Sequence, residues 1–169
     1  MYKRLILISF MILFLSCSSI VNKKIVQLPN NKSYAISSFW NYTETPMAGL
    51  RASSIVESVL AKEQIEIKSL IGGSADMETV KNKKIFLSSK KEEAKRLGAE
   101  YFITGDVQEW RYKTGIDGEP VVSYSIKVID LKDDKVIYSS IGAKSGWGHK
   151  SIGVVAQEIA KELIPNFIP

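Results

Sequence analysis

Residues 105–120 read Gly-Asp-Val-Gln-Glu-Trp-Arg-Tyr-Lys-Thr-Gly-Ile-Asp-Gly-Glu-Pro, and their reading decides the fold. The left half continues an alternation that begins at Tyr101. Phe102, Thr104, Asp106, Gln108 and Trp110 fall on one face of a strand, and Tyr101, Ile103, Gly105, Val107 and Glu109 on the other. The right half cannot be regular structure. Gly115, Asp117-Gly118 and Pro120 are turn residues, and Asp-Gly favours positive φ. A second strand-like run, Val121 to Leu131, follows at once. The expectation is a β-hairpin whose tip carries Lys113, Asp117 and Glu119. A core strand has no need of that chemistry at its tip, whereas a surface that meets a partner does.

The chain of 169 residues is long enough for one domain with a real core. A hydrophobic content of 45% and a charged content of 24% are ordinary for a globular protein. The formal charge is +5. Lys3 and Arg4 lie in an expected leader, so the remainder carries 21 basic against 18 acidic side chains, a mild +3. The lysines are scattered in small clusters such as Lys83-Lys84 and Lys90-Lys91, which read as solvated faces and speak against nucleic-acid binding. One Cys and one His exclude metal clusters, disulfide frameworks and Cys-His catalysis within a single chain, and no cofactor is expected.

Lys3-Arg4 forms a positive n-region before an apolar run, Leu5 to Leu15, too short to span a bilayer comfortably. Phe14-Leu15-Ser16-Cys17 then resembles a bacterial lipobox. Residues 1–16 are expected to be a lipoprotein signal peptide, and 17–32 a lipidated Cys17 and polar tether. Residues 33–169 form a single periplasmic domain. The alternatives are an uncleaved anchor or a plain secretory signal with a stray Cys. Several acyl chains on Cys17 give stable anchoring. By the lipoprotein sorting rule of enteric bacteria, Ser18-Ser19 in place of Asp suggests the outer membrane.

Within the domain, Tyr34 to Phe39 reads as a first strand. Thr45-Pro46 reads as an N-cap and first helical position, opening a helix to about Lys62. Ala48, Ala52, Ile55, Val56, Val59 and Leu60 form its buried stripe, and Arg51 lies off it. Ile65 to Leu70 is a second strand. Gly72 to about Leu87 is polar with little periodicity, and lacks the Lys-Ser or Lys-Thr that a phosphate loop needs. Ser89 to Glu92 forms a capping box for a short helix ending at Gly98, with Ala94 and Leu97 buried. The strands Ala99–Trp110, Val121–Leu131 and Val136–Lys144 follow. A last helix, Ser151 to Ile164, buries Ile152, Val155, Ala156, Ile159, Ala160 and Leu163 and is ended by Pro165. The fold class is α/β: a mixed β-sheet covered by helices, in the order β-α-β-α-β-β-β-α.

Four groups of residues carry a resemblance: Trp40 to Gly49 leading into the first helix, the hairpin Gly105 to Pro120, Val128-Ile-Asp-Leu131, and Ser145-Gly-Trp-Gly148. Together with the lipobox they resemble the PelC family, the outer-membrane lipoproteins of the Pel exopolysaccharide export system, over most of Tyr34 to Ile164. More distantly the pattern is similar to the curli secretion lipoprotein CsgG and to lipoprotein activators of peptidoglycan synthases, which share a TolB-N-terminal-like α/β sandwich. The resemblance implies a non-enzymatic ring, a dodecamer in the family, beneath an outer-membrane β-barrel porin. An acidic funnel would guide a cationic amino-sugar exopolysaccharide. By resemblance Asp117 falls at the acidic funnel position, Trp147 at the aromatic position that faces membrane lipid, and Arg51 at a basic position near subunit contacts. The mature net charge of +3 means that such guidance rests on the lining alone.

Each of these residues also has a plainer reading. Asp117 and Glu119 fit a hairpin turn with two solvated carboxylates. As a glycosidase pair they are poorly scaffolded, two residues apart on one tip. Trp147 fits either a core aromatic or, between its flanking glycines, an exposed interfacial one. Trp40, Tyr42, Trp110 and Tyr112 read as packing or subunit-interface residues, and His149 as a loop residue. The alternative function is a lipoprotein activator of a peptidoglycan synthase. It would need a long disordered reach, whereas about fifteen tether residues span at most ~50 Å. A secretion channel of the CsgG type would need two further long amphipathic hairpins, for which the chain has no spare length.

Overall fold

The computed structural model describes residues 18–22, 27–72, 82–114, 118–147, 149–164 and 166–168. Residues 1–17, 23–26, 73–81, 115–117, 148, 165 and 169 lie outside them, and with them the expected leader, Cys17 and Asp117. The strands are β1 (Ser18–Asn22), β2 (Gln27–Pro29), β3 (Ser33–Ser37), β4 (Trp40–Asn41), β5 (Glu66–Leu70), β6 (Tyr101–Tyr112), β7 (Pro120–Asp130), β8 (Lys135–Ser145) and β9 (Asn166–Ile168). The helices are α1 (Ala48–Leu60), α2 (Lys83–Arg96) and α3 (Ile152–Leu163). From Ser33 to Leu163 the expected order holds, with β4 as an addition. The main sheet is mixed and seven-stranded, ordered β1-β8-β7-β6-β3-β5 with β4 also on β6. Strands β6, β7 and β8 form an antiparallel meander, while β3 and β5 join in parallel.

α1 and α3 cover one face of the sheet. Ala52, Val56, Ala156 and Ile159 pack there on Ile36, Ile103, Tyr124 and Ile126 in one core. α2 covers the opposite face over β3, β5 and the start of β6, where Ala94 and Phe102 meet Ala35, Leu70 and Ile129. The tightest point lies at Gly105. A Cβ there would stand 2.1 Å from the Ser125 carbonyl oxygen and 2.7 Å from the Phe39 ring, so the position admits no side chain.

The simple alternation of β6 fails at one residue. Val107 pairs with Tyr124 and Glu109 with Ser123, leaving Gln108 as the extra residue of a β-bulge. The bulge turns Trp110 onto the face of Ile103 and Val107, where it is buried in the larger core. Trp110 therefore does not share a face with Phe102.

Two helix starts differ from the sequence reading. Thr45 does not cap α1, because its hydroxyl donates to the Trp110 carbonyl at 2.5 Å. Met47 takes the N-cap position in a left-handed conformation, φ 59°, without a side-chain cap. α2 begins at Lys83, not Ser89. The Asn82 side chain caps it by accepting from the amides of Lys84 and Ile85. Its buried positions are Phe86, Lys90 and Ala94. A lysine in the middle of the stripe removes the apolar period, and so hides the first turns of the helix. Leu97, expected to be buried, is 49% exposed.

The expected tether is also corrected. β1 adds antiparallel to β8, from Ser18 opposite Lys144 to Asn22 opposite Ser140. β2 pairs in parallel with β9. Ile20 packs against the main core and Leu28 is buried in it. Among the described residues no helix is long and apolar enough to cross a membrane.

Candidate functional site

Of the residues singled out in the sequence, Arg51, Glu119 and Trp147 lie at the end of the sheet where β6 and β7 are joined. The last pair of that hairpin is Tyr112 with Pro120. Beyond it, Lys113 donates its amide to the Glu119 carbonyl at 2.7 Å. The Lys113 ammonium also meets the Glu119 carboxylate at 2.7 Å. Glu119 is thus neutralised by its own hairpin, an exposed pair of modest worth. Asp117 lies outside the described residues.

Beside the turn runs the loop after β8. Gly146 donates its amide to the Pro120 carbonyl at 2.9 Å, and Lys150 donates its amide to the Trp147 carbonyl at 2.8 Å. Gly146 has Val155, Pro120 and Lys150 against it. Trp147 is left 45% exposed, so it is not a core aromatic. A charge network fastens this loop. Glu158 on α3 meets Lys144 of β8 at 2.7 Å and Lys150 of the loop at 2.7 Å. Hydrogen bonds from Lys144 and then Lys150 hold the Glu158 carboxyl below its usual value.

On the helical face, Arg51 is exposed in the first half of α1. It lines a cleft of about 500 Å3 with Leu50, Ile55, Trp110, Tyr112 and Ile152. Arg51, Glu119 and Trp147 thus belong to one end of the domain although they are far apart in sequence. Tyr112 joins them, 51% exposed. Of the other aromatics, Trp110 is core, Trp40 packs on Phe86 at 5.9 Å between centroids, and Tyr42 is 61% exposed. His149 is exposed on the loop.

One cluster is not visible in the sequence reading. Asp106 is 6% exposed on the face opposite α1 and α3. It pairs with Lys127 of β7 at 2.8 Å and with Lys83 at the start of α2. Burial pushes the Asp106 carboxyl up, but the two lysines outweigh it and hold it below the ordinary range. Lys83 also lies 5.1 Å from the centre of the Tyr42 ring. The carboxylate fastens α2 to the middle of the sheet. Its only trace in the sequence is a charge at an inward position of a strand. Among the described residues no group of His, Cys, Asp or Glu side chains is arranged to hold a metal.

No family model matches the sequence, and no curated protein matches it. Solved structures do. The PelC dodecamer from Paraburkholderia phytofirmans is 30% identical, with a TM-score of 0.73 over 87% of this chain and 94% of its own. A point variant of that protein in another crystal form is 34% identical, with a TM-score of 0.74 over 89% of this chain and 98% of its own. The lipoprotein GNA1162 from Neisseria meningitidis shares the fold at 11% identity, TM-score 0.60, over 78% of this chain and 96% of its own. The LpoB C-terminal domain from Salmonella enterica does so at 13% identity, TM-score 0.50, over 69% of this chain and 84% of its own.

Proposed function

The chain belongs to the PelC family, and on that premise we propose that it is a non-enzymatic outer-membrane lipoprotein of a Pel-type exopolysaccharide export apparatus. It closes into a periplasmic ring of its own copies beneath a β-barrel porin. Cys17 carries the lipid. Asp117, repeated around the ring axis, presents negative charge to a cationic amino-sugar polymer, and Glu119 contributes less because Lys113 holds it. Trp147 faces the membrane. Arg51 and the cleft beside it meet the neighbouring subunit.

The observation that carries this reading is identity of 30–34% to a dodecameric protein over nearly its whole length. The peptidoglycan-synthase activator reading has a fold likeness at 13% identity and no more. The pairing of β1 also removes the reach that it requires. The test is complementation of a secretion-deficient strain. Asp117→Lys is expected to assemble normally, by native mass, and to lower polymer export. Unchanged export in an assembled Asp117→Lys ring would rule out guidance by this carboxylate.

A further inference from the structure

We propose that the cleft between the loop after β4 and the last third of β6 is a sugar-binding site, with Tyr42 as the platform for a pyranose ring and Glu44 as the partner of an ammonium group on that ring. The inference rests on the Pel-type export reading for the polymer that brings such a sugar. It adds a contact that the hairpin tip does not supply.

A bulge and a locked turn build the cleft. β4 pairs in parallel with β6 only at Trp40 and Asn41. Past that point the loop runs beside Gln108 to Arg111 and encloses about 390 Å3 with them, a volume ordinary for a small-ligand site. The Asn41 side-chain oxygen accepts from the amide and the hydroxyl of Thr43 at 2.9 and 2.7 Å. Its amide nitrogen donates to the Thr45 carbonyl at 2.9 Å, and the Thr45 hydroxyl is spent on Trp110. A loop tied in this way has little left to order on binding. Gln108, the extra residue of the bulge, is turned out of the ladder and lines the cleft.

Tyr42 is exposed and yet held. Its amide donates to the Val107 carbonyl at 2.9 Å. Its ring meets Trp40 edge-on, with 6.4 Å between centroids. Lys83 donates to its hydroxyl at 3.2 Å. A ring fixed at the surface and 61% open offers a flat apolar face, on which the C–H groups of a pyranose stack.

The charges select a cation. Lys83 is taken by Asp106, and Arg111 by Glu109 at 3.2 Å. Glu44 is exposed on the loop and forms no ion pair among the described residues. The cleft therefore carries one unmatched negative charge. Among the described residues no acidic group is arranged for a metal. Gln108 and the planar Glu109–Arg111 pair add donors and acceptors that suit sugar hydroxyls. A lysine side chain would satisfy Tyr42 and Glu44 and leave those groups unused, whereas an amino sugar engages all of them.

The test is titration calorimetry of the lipidated full chain in detergent with the β-1,4-linked tetramers of glucosamine and of N-acetylglucosamine, and with tetralysine. The glucosamine tetramer is expected to bind about fivefold tighter than its N-acetylated counterpart, and Glu44→Gln to erase that preference. Tyr42→Ala is expected to weaken both tetramers by about tenfold, with the unfolding midpoint of each variant matching the parent. No binding of the glucosamine tetramer to the parent, or an affinity unchanged in both variants, would overturn the site, as would tighter binding of tetralysine. Export is scored separately. A strain lacking the protein that still secretes polymer would overturn the export reading, while the titration decides the cleft either way.

Discussion

The amide of Gly146 donates to the carbonyl of Pro120 at 2.9 Å, joining the loop that carries Trp147 to the base of the hairpin turn. The bond makes one surface out of two segments that are remote in sequence. It also holds Trp147 away from the core.

Trp147→Ser is therefore expected to change folding stability by no more than about 0.5 kcal/mol, as for an exposed side chain. A core tryptophan would cost about 3–5 kcal/mol on such truncation. Urea unfolding of the two proteins separates these values. The same variant is expected to bind vesicles less well.

Asp106→Asn is expected to cost about 2–3 kcal/mol, because it leaves Lys83 and Lys127 without their carboxylate. Adding Lys127→Met is expected to recover part of the loss. The pH dependence follows from a carboxyl whose folded pKa lies below its ordinary 3.8. Its stabilisation is complete above that ordinary value and is lost as pH falls through the lower folded one. Unfolding free energy measured from pH 7 down to pH 3 should fall more steeply in the parent than in Asp106→Asn.

Gly105→Ala is expected to destabilise the domain by roughly 3 kcal/mol or to prevent folding. The new methyl group would meet the Ser125 carbonyl and the Phe39 ring together. Circular dichroism and urea unfolding check the outcome, and a variant as stable as the parent would show that β6 and β7 can separate there.

The hairpin and the meander are legible because turn residues separate long runs rich in apolar residues, and α3 because its apolar residues recur at helical spacing. Val155, Ala156, Ile159, Ala160 and Leu163 are the buried positions of α3, as the spacing implies. The failures have local causes. Gln108 adds one residue to β6 and reverses the face of Trp110, which no alternation can foretell. Lys90 occupies the buried stripe of α2, reaching the Gly72 carbonyl at 3.3 Å and Glu93 at 3.1 Å, so a polar helix looked like a loop. Ser18 to Asn22 looked like tether because an edge strand has only a short run with which to declare itself. At the site, Arg51 and Trp147 could be named from resemblance, and Glu119 from the charged turn residues of the hairpin tip. That Tyr112 joins them, and that Lys113 engages Glu119, are products of tertiary pairing.

Cys17→Ser is expected to leave the domain folded and to move the protein from the membrane to the soluble fraction. Fractionation with urea unfolding of the released protein reads both. Membrane retention of the variant would contradict lipidation at Cys17.

The most direct measurement is native mass, taken for the soluble chain from Ser18 and for the lipidated protein in detergent, each over a range of concentrations. The account predicts one closed ring of a fixed number of copies in the lipidated protein, with the same assembly in the soluble chain at high concentration. A monomer in both preparations at every concentration would contradict it.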